Sequence, residues 1–366
     1  MNPLSYLYMS ARNMVDLLSG KSLKNSGLSV YKPNKGRINI FFDHLRDIIS
    51  GGAIERGYWM YGFQNISRKE QREYILYSDF MRKRNRLNMH PNVTYTTNEK
   101  FNYLCILRDK FIFGRVLSQL GFPVAKDIML IDGKNNVIRK IGEDSSQEPF
   151  ENILHYNFDA FCKVVSGECG KGVFKIKCEE KTLYGEVSSL HELKEVIGDS
   201  LCVLQNRLCQ HEVLNMIYPK SINTMRLITC RKENGTVNAL PAVLRFGANG
   251  NTVDNWAAGG LVVGINTQGT LFGKGYYEFP IGDRIDCEEH PDTKIKFDGI
   301  NVPFYEEAVK MAKELHSCLY GIPCIGWDIA FTPTGPVFIE GNDNFEITLN
   351  QRAHGGLKKV WLQSIE

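Results

Sequence analysis

Two hydrophobic spacings divide this chain. Before about residue 120, apolar positions recur three and four apart, as on one face of a helix. Ile38, Phe41, Phe42, Leu45, Ile48 and Ile49 predict a helix ended by Gly51 and Gly52. Tyr74, Ile75, Tyr77, Phe80 and Met81 predict another over residues 67–87. A third opens at Asp109-Lys110, runs through Ile112, Phe113, Val116, Leu117 and Leu120, and closes at Gly121 and Pro123. Beyond residue 124, short apolar runs separated by Gly, Asn and Asp turns predict strands over 124–131, 158–165, 173–178, 201–207, 222–231, 237–246 and 261–265. Two helices interrupt them. One starts at Ser189 with Glu192 three residues on, and the other covers 303–320 between Pro303 and Gly321.

The last two strands carry the clearest chemistry. Apolar runs on either side of Thr332-Pro333-Thr334-Gly335-Pro336 predict a hairpin centred near Thr334, which sets Asp328 opposite Glu340 on one face, with Asn342 two residues further along that face. Facing carboxylates repel unless a cation offsets them, and three hard oxygen donors suit Mg²⁺. Ile325, Ile329, Phe338 and Ile339 argue for a buried hairpin; the alternative is a solvated face with ordinary charges.

A second signal is Ser166-Gly167-Glu168-Cys169-Gly170-Lys171-Gly172 between two strands, with Lys163 inside the preceding apolar run. Glycines let backbone N–H groups approach an anion, and Lys171 adds charge. The loop lacks the Walker spacing, and a strand follows it where a helix would be required. Arg226 and Arg245 each interrupt an apolar strand, so each calls for an anionic partner, either a protein carboxylate or a ligand. The small residues of Asp254-Asn255-Trp256-Ala257-Ala258-Gly259-Gly260 suit close approach of a ligand.

Composition narrows the field. With 366 residues, 43% hydrophobic and 23% charged, the chain suits two or three lobes of a globular enzyme. A net charge of +3 gives no general field for nucleic acid, and none is expected as a partner. Ten scattered cysteines without zinc spacing predict reduced thiols and a cytoplasmic setting. No leader pattern opens the chain and no apolar run is long enough to span a bilayer. The basic stretch Arg68, Lys69, Arg72, Arg82, Lys83, Arg84 and Arg86, against Glu70, Glu73 and Asp79, reads as a solvated helix face or as a contact for an anionic membrane surface, RNA or acidic polymer.

Taken in order, Asp109-Lys110 with its helix and Gly-Phe-Pro, Lys163 with the glycine loop, the strand reaching Gln205, and Asp328/Glu340/Asn342 resemble the ATP-grasp superfamily over about residues 105–350. Asn223-Thr224-Met225-Arg226, the 254–260 loop and the Gly326-Trp327-Asp328 to Glu340-Gly341-Asn342 ending resemble its sugar-transfer-associated branch, related to glutamate ligases. The resemblance implies an α+β fold whose two lobes clamp ATP: a mostly helical extension over 1–104, a small lobe over 105–205 and a large lobe over 206–366. It implies that Lys110 and Lys163 contact ATP phosphates under a cover of Gly167, Gly170, Lys171 and Gly172. Gln205, Asn206 and Leu208 would meet the adenine, with Gln205 standing where many relatives have an acid, and Glu212 or His211 the ribose. Asp328, Glu340 and Asn342 would hold Mg²⁺ as two ions, with Arg226, Lys163 and Arg245 catalytic. The implied reaction joins a carboxylate, small or glycan-linked, to an amine through an acyl phosphate, on a uronic acid or acidic amino acid of a surface polysaccharide. A kinase on the same scaffold and a non-catalytic nucleotide- or polyanion-binding protein are the alternatives. Oligomeric state is left open, and so is peripheral membrane contact.

Overall fold

The computed structural model describes residues 3–19, 28–31, 33–51, 53–92, 95–96, 99–100, 102–142, 146–167 and 172–366. Two antiparallel sheets organise it, in an α+β arrangement. A short pair, β1 (Tyr95–Thr96) and β2 (Glu99–Lys100), precedes them. The first sheet contains β3 (Asp127–Asp132), β4 (Val137–Lys140), β5 (Gln147–Pro149), β6 (Phe158–Val164), β7 (Val173–Glu179), β8 (Thr182–Gly185) and β9 (Leu201–Asn206), in the order β5-β4-β3-β9-β6-β7-β8. The second contains β10 (Thr224–Arg231), β11 (Val237–Ala239), β12 (Val243–Phe246), β13 (Leu261–Ile265), β14 (Leu271–Ile281), β15 (Arg284–Cys287), β16 (Cys324–Thr332) and β17 (Gly335–Asn342). Its order is β15-β14-β13-β12-β10-β16-β17, with β11 paired to β10.

Alternation along each strand separates a core face from a polar face. In the first sheet Met129, Ile131, Ala160, Cys162, Ile176 and Leu204 turn inward onto the helix Leu190–Ile197 through Leu193 and Ile197. Asp127, Gln205, Phe161 and Lys163 share the other face through the pairings Asp127↔Gln205 and Phe161↔Gln205. In the second sheet Met225, Leu227, Leu244, Val263, Trp327 and Ile329 pack on the helix Tyr305–Cys318. The opposite face carries Arg226, Arg245 and Asp328 at one end. At the other end Ile228, Cys230 and Cys324 are covered by Ile75 and Phe80 from the N-terminal region and by Trp361 from the helix Lys358–Ile365.

Several sequence expectations change here. The helix Arg37–Gly51 forms, yet Ile38, Phe42 and Ile49 are exposed, and the buried side is Ile40, Asp43, His44 and Ile48. Asp43 draws that face inward because Lys35 (2.8 Å), Tyr58 (2.9 Å) and Gln71 (3.3 Å) all donate to it. Residues 67–87 form two helices, Arg68–Gln71 and Tyr77–Asn92. The first is fixed by a capping box in which Ser67 N donates to Glu70 and Glu70 N to Ser67 Oγ. Nor is the basic face all solvated: Arg84 is fully buried and donates to Phe345 O and to Asn344 Oδ1 (2.5 Å). The 237–246 run splits at Pro241, which has no N–H for the ladder, and β14 lies where no strand was expected. The helix Lys110–Gln119, capped by Asp109 accepting from Ile112 N, packs Phe113 and Leu117 into the second sheet's core rather than the first's.

The lobes join at a few backbone contacts. Val124 bridges in parallel to Phe338, Lys110 N donates to Val165 O (3.0 Å), and His211 N donates to Phe331 O (2.8 Å). These contacts bring the two polar faces together.

Candidate active site

The hairpin β16–β17 turns at Pro333-Thr334, and the first pairs, Thr332↔Gly335 to Ile329↔Phe338, follow a register that would set Asp328 against Ile339. A bulge at Ile339 shifts the register by one, and Asp328 pairs with Glu340. Without that bulge Glu340 and Asn342 would face the apolar core. The expected juxtaposition of Asp328, Glu340 and Asn342 therefore exists, through an irregularity that spacing alone did not show.

The compensation of charge differs from the sequence argument. Asp328, 5% exposed, pairs across the ladder with Arg226 and accepts from its Nε at 2.6 Å and its Nη2 at 3.2 Å. Arg245 Nη2 reaches the same carboxylate at 3.0 Å, and its other partners are Thr224 Oγ1 (2.6 Å) and Asp254 (3.4 Å). Both strand arginines thus have protein carboxylate partners. Burial raises the pKa of Asp328, but Arg226 and Arg245 outweigh it and hold the carboxyl below its ordinary range. Two guanidinium groups offset the carboxylate, so the pair does not by itself require a metal cation. Asp254 differs: burial dominates, and its pKa is raised despite Arg245.

Glu340 is more open, with its side chain 31% exposed, and Lys110 Nζ approaches it to 3.4 Å while donating to Gly167 O. Lys163, enclosed on the facing sheet, has its pKa lowered to about 8, chiefly by burial and further by the Lys110 charge, against Glu340 and Asp127, which raise it. Lys110, Lys163 and Glu340 therefore meet where the lobes close. The Asn342 amide donates to Gly326 O (3.3 Å). Among the described residues no group of three or more His, Cys, Asp or Glu side chains forms a metal cluster.

At the strand end, Gln205 is buried, and its Nε2 donates to Asp127 Oδ1 (2.7 Å) while its Oε1 has no hydrogen-bond partner. A buried acceptor without a partner is costly, and an amino group placed there would satisfy it. Asn206 N is bound to Lys126 O (2.8 Å), Leu208 is half-buried, and the exposed Glu212 opens the helix Glu212–Ile217, with His211 Nδ1 capping Val213 N at 3.2 Å. Gly172 adopts φ +68°, and a Cβ there would lie 2.6 Å from Val164 Cγ2, so the loop end requires glycine. Gly170 and Lys171 lie outside the described residues.

Two charged positions beside the site, Asp127 and Arg108, escaped the sequence reading. Asp127 is a lone acid on an apolar strand, the same signal that drew attention to Lys163. Arg108, which forks onto Asp343 at 3.0 and 2.7 Å immediately after Asn342, carried no local signal, and Asp254, at the head of the small-residue loop already singled out, is buried against Arg245.

The family described as sugar-transfer associated ATP-grasp matches residues 89–366. No curated protein matches the chain. Among solved structures, an ADP complex of N5-carboxyaminoimidazole ribonucleotide synthetase is 11% identical (TM-score 0.40) over 68% of this chain and 49% of that one. The Staphylococcus aureus N5-carboxyaminoimidazole synthetase with ADP is 11% identical (TM-score 0.36) over 66% and 45%. An L-amino acid ligase from Bacillus licheniformis is 12% identical (TM-score 0.35) over 67% and 42%. The chain thus spans less than half the length of each of these structures.

Proposed function

The chain belongs to the sugar-transfer associated ATP-grasp family, and from that premise we propose that it is an ATP-dependent carboxylate–amine ligase. The meeting of Lys110, Lys163 and Glu340 between the two sheets carries this reading. It offers two ammonium groups for phosphate oxygens and one carboxylate for a cation. The adenine fits the other end, where the orphaned Gln205 Oε1 accepts from its amino group and Glu212 faces the ribose.

Lys110 and Lys163 hold the phosphates, and the loop from Gly167 through Gly170 and Lys171 to Gly172 covers them. Glu340, Asn342 and Asp328 are oxygen donors suited to Mg²⁺, which supplies charge neutralisation at the phosphates when bound. Glu340 and Asn342 are the readier ligands. Asp328 would join them through the lone pairs that Arg226 and Arg245 leave free. Arg226 and Arg245 then stabilise the charge spread over the phosphoryl oxygens. A substrate carboxylate attacks the γ-phosphate, giving an acyl phosphate and ADP. An amine adds to the acyl carbon and expels phosphate, leaving an amide, with no protein nucleophile required. The substrate class that fits the family description is a uronic acid or acidic amino acid on a glycan, handled in the cytoplasm.

Phosphate release tests the reading. Purified protein, Mg²⁺, ATP and a panel of uronic acids and acidic amino acids should give ADP and phosphate only when an amine is added, and Lys163→Ala should lower the rate by about 10²-fold. A stable phosphate ester on an acceptor hydroxyl, formed without an amine, would replace the ligase reading with a kinase. Absence of nucleotide binding by folded protein would remove both.

A further inference from the structure

A cleft of about 570 Å³ lies on the far side of the helix Tyr77–Asn92, between the N-terminal region and the helix Lys358–Ile365. Six cations line it: Arg68, Arg72, Arg82, Lys83, Arg86 and Lys358. Only two carboxylates do, Asp47 and Asp79. Arg82 is neutralised by Asp79 (2.5 Å), and Arg68 reaches Asp43 at 3.8 Å. Among the described residues Arg72, Lys83, Arg86 and Lys358 have no carboxylate within 4 Å. Four like charges lining one open hollow give it a positive potential that an anion would offset. The remaining wall is half-buried and apolar, from Tyr74, Leu76, Leu87 and Leu362.

We propose that this cleft is a second ligand site, independent of the nucleotide reading above, and that it binds a compact anion bearing two or more phosphate groups. Arg72 and Arg86 present forks that match phosphate oxygens in pairs, while Lys83 and Lys358 act as point charges. The volume is that of a small-ligand pocket, and the lining cations come from three separate segments: Arg68 and Arg72, then Arg82, Lys83 and Arg86 on the helix Tyr77–Asn92, and Lys358. The apolar wall receives the rest of the ligand, whether the sugar of a free diphosphate or the first carbons of a phospholipid. The opposite face of the same helix holds the end of β17: Asn88 Nδ2 donates to Cys324 O (2.9 Å) and Asp343 O (3.0 Å), and Arg84 to Phe345 O. One helix diameter, about 10 Å, therefore separates the cleft from the residues that follow Asn342.

Calorimetry with inorganic tripolyphosphate on the full chain tests the site. The probe is titrated into the unaltered protein, into Arg72→Ala/Arg86→Ala/Lys358→Ala, and into Lys163→Ala. The three replaced side chains are exposed and, among the described residues, have no carboxylate partner, so folding is expected to survive; a Lys83→Gln/Arg72→Gln protein serves should it not. Binding weakened roughly tenfold or more in the cleft variants and retained in Lys163→Ala supports the proposal. Flotation with phosphatidylcholine vesicles containing a phosphoinositide that bears two ring phosphates then separates the sources, because co-flotation that the cleft variants lose identifies a headgroup and its absence a free anion. Equal affinity in the cleft variants, binding lost only in Lys163→Ala, or no heat at millimolar probe overturns it. So does binding of single-stranded RNA or vesicles without binding of tripolyphosphate, which would make the patch a polymer or membrane contact.

Discussion

Asp328→Asn separates two accounts of the hairpin. If Asp328 and Glu340 simply oppose each other, as the sequence suggests, removing one charge in the absence of metal relieves repulsion and leaves the protein equally or more stable. The structure predicts the reverse. Asp328 accepts three guanidinium N–H groups at 2.6, 3.2 and 3.0 Å, and it is buried. Asparagine keeps one acceptor oxygen and loses the charge, and its amide nitrogen then meets a donor. Arg245 still has Asp254 and Thr224, so the cost falls mainly on Arg226, itself 9% exposed and without another carboxylate among its ion pairs. Orphaning one partner of a buried pair costs about 3–5 kcal/mol. With part of the network retained, about 3 kcal/mol is expected, which for a 366-residue chain corresponds to roughly 4 °C in melting temperature. The measurement is thermal unfolding in EDTA, followed by intrinsic tryptophan fluorescence, to which the fully buried Trp327 one residue away contributes. Glu340→Gln is the control. Its partner Lys110 also bonds Gly167 O and its side chain is 31% exposed, so its loss should stay within about 1 kcal/mol. Asp328→Asn at or above wild-type stability in EDTA would refute the arginine account.

Lys163 is charged below about pH 8 and neutral above it, so nucleotide affinity should fall as pH rises through about 8, by up to about tenfold per unit, and Lys163→Arg should flatten that profile. An unchanged slope in the arginine variant would detach Lys163 from the phosphates. Glu55, buried while accepting from Gly57 N and Tyr77 N, has its pKa raised to about 7, chiefly by burial. The folded state then binds its proton more tightly than the unfolded chain does, so its contribution is full below about pH 4.5 and is lost as pH rises through about 7, by as much as about 3 kcal/mol. Glu55→Gln should reduce the difference in melting temperature between about pH 5 and pH 8; an identical difference would show that other groups cause it. Gly260→Ala would place a Cβ 2.8–3.0 Å from the carbonyl oxygens of Phe246, Asn255 and Asp254, which are backbone and cannot swing away. A loss of about 1–3 kcal/mol is expected, with Arg245 losing its fit to Asp254; wild-type stability would show that the 254–260 loop adapts.

What the sequence revealed and what it hid divide along a physical line. Period-two and period-four patterns are local, so β13 and the helix Lys110–Gln119 were legible, and so was the pairing of Asp328 with Glu340. The bulge at Ile339 that makes that pairing possible was not, because a bulge answers to packing on both faces. The partners of a buried charge are less legible still. Arg226 and Arg245 announced themselves as charges on apolar strands, but that their anions are protein carboxylates depends on strand order, which sets β12 beside β10 and β10 beside β16. Neither neighbour is adjacent in sequence to the strand it pairs with across that site. The same reason hid Arg108 and the pairing of Asp254 with Arg245. It also accounts for the basic stretch at 67–87, whose residues look alike in composition. The helix phase separates Arg84 and Asn88, facing the hairpin end, from Lys83 and Arg86, facing the cleft. One helix therefore both anchors the residues after Asn342 and walls a cationic hollow, and only three-dimensional placement distinguishes the two roles.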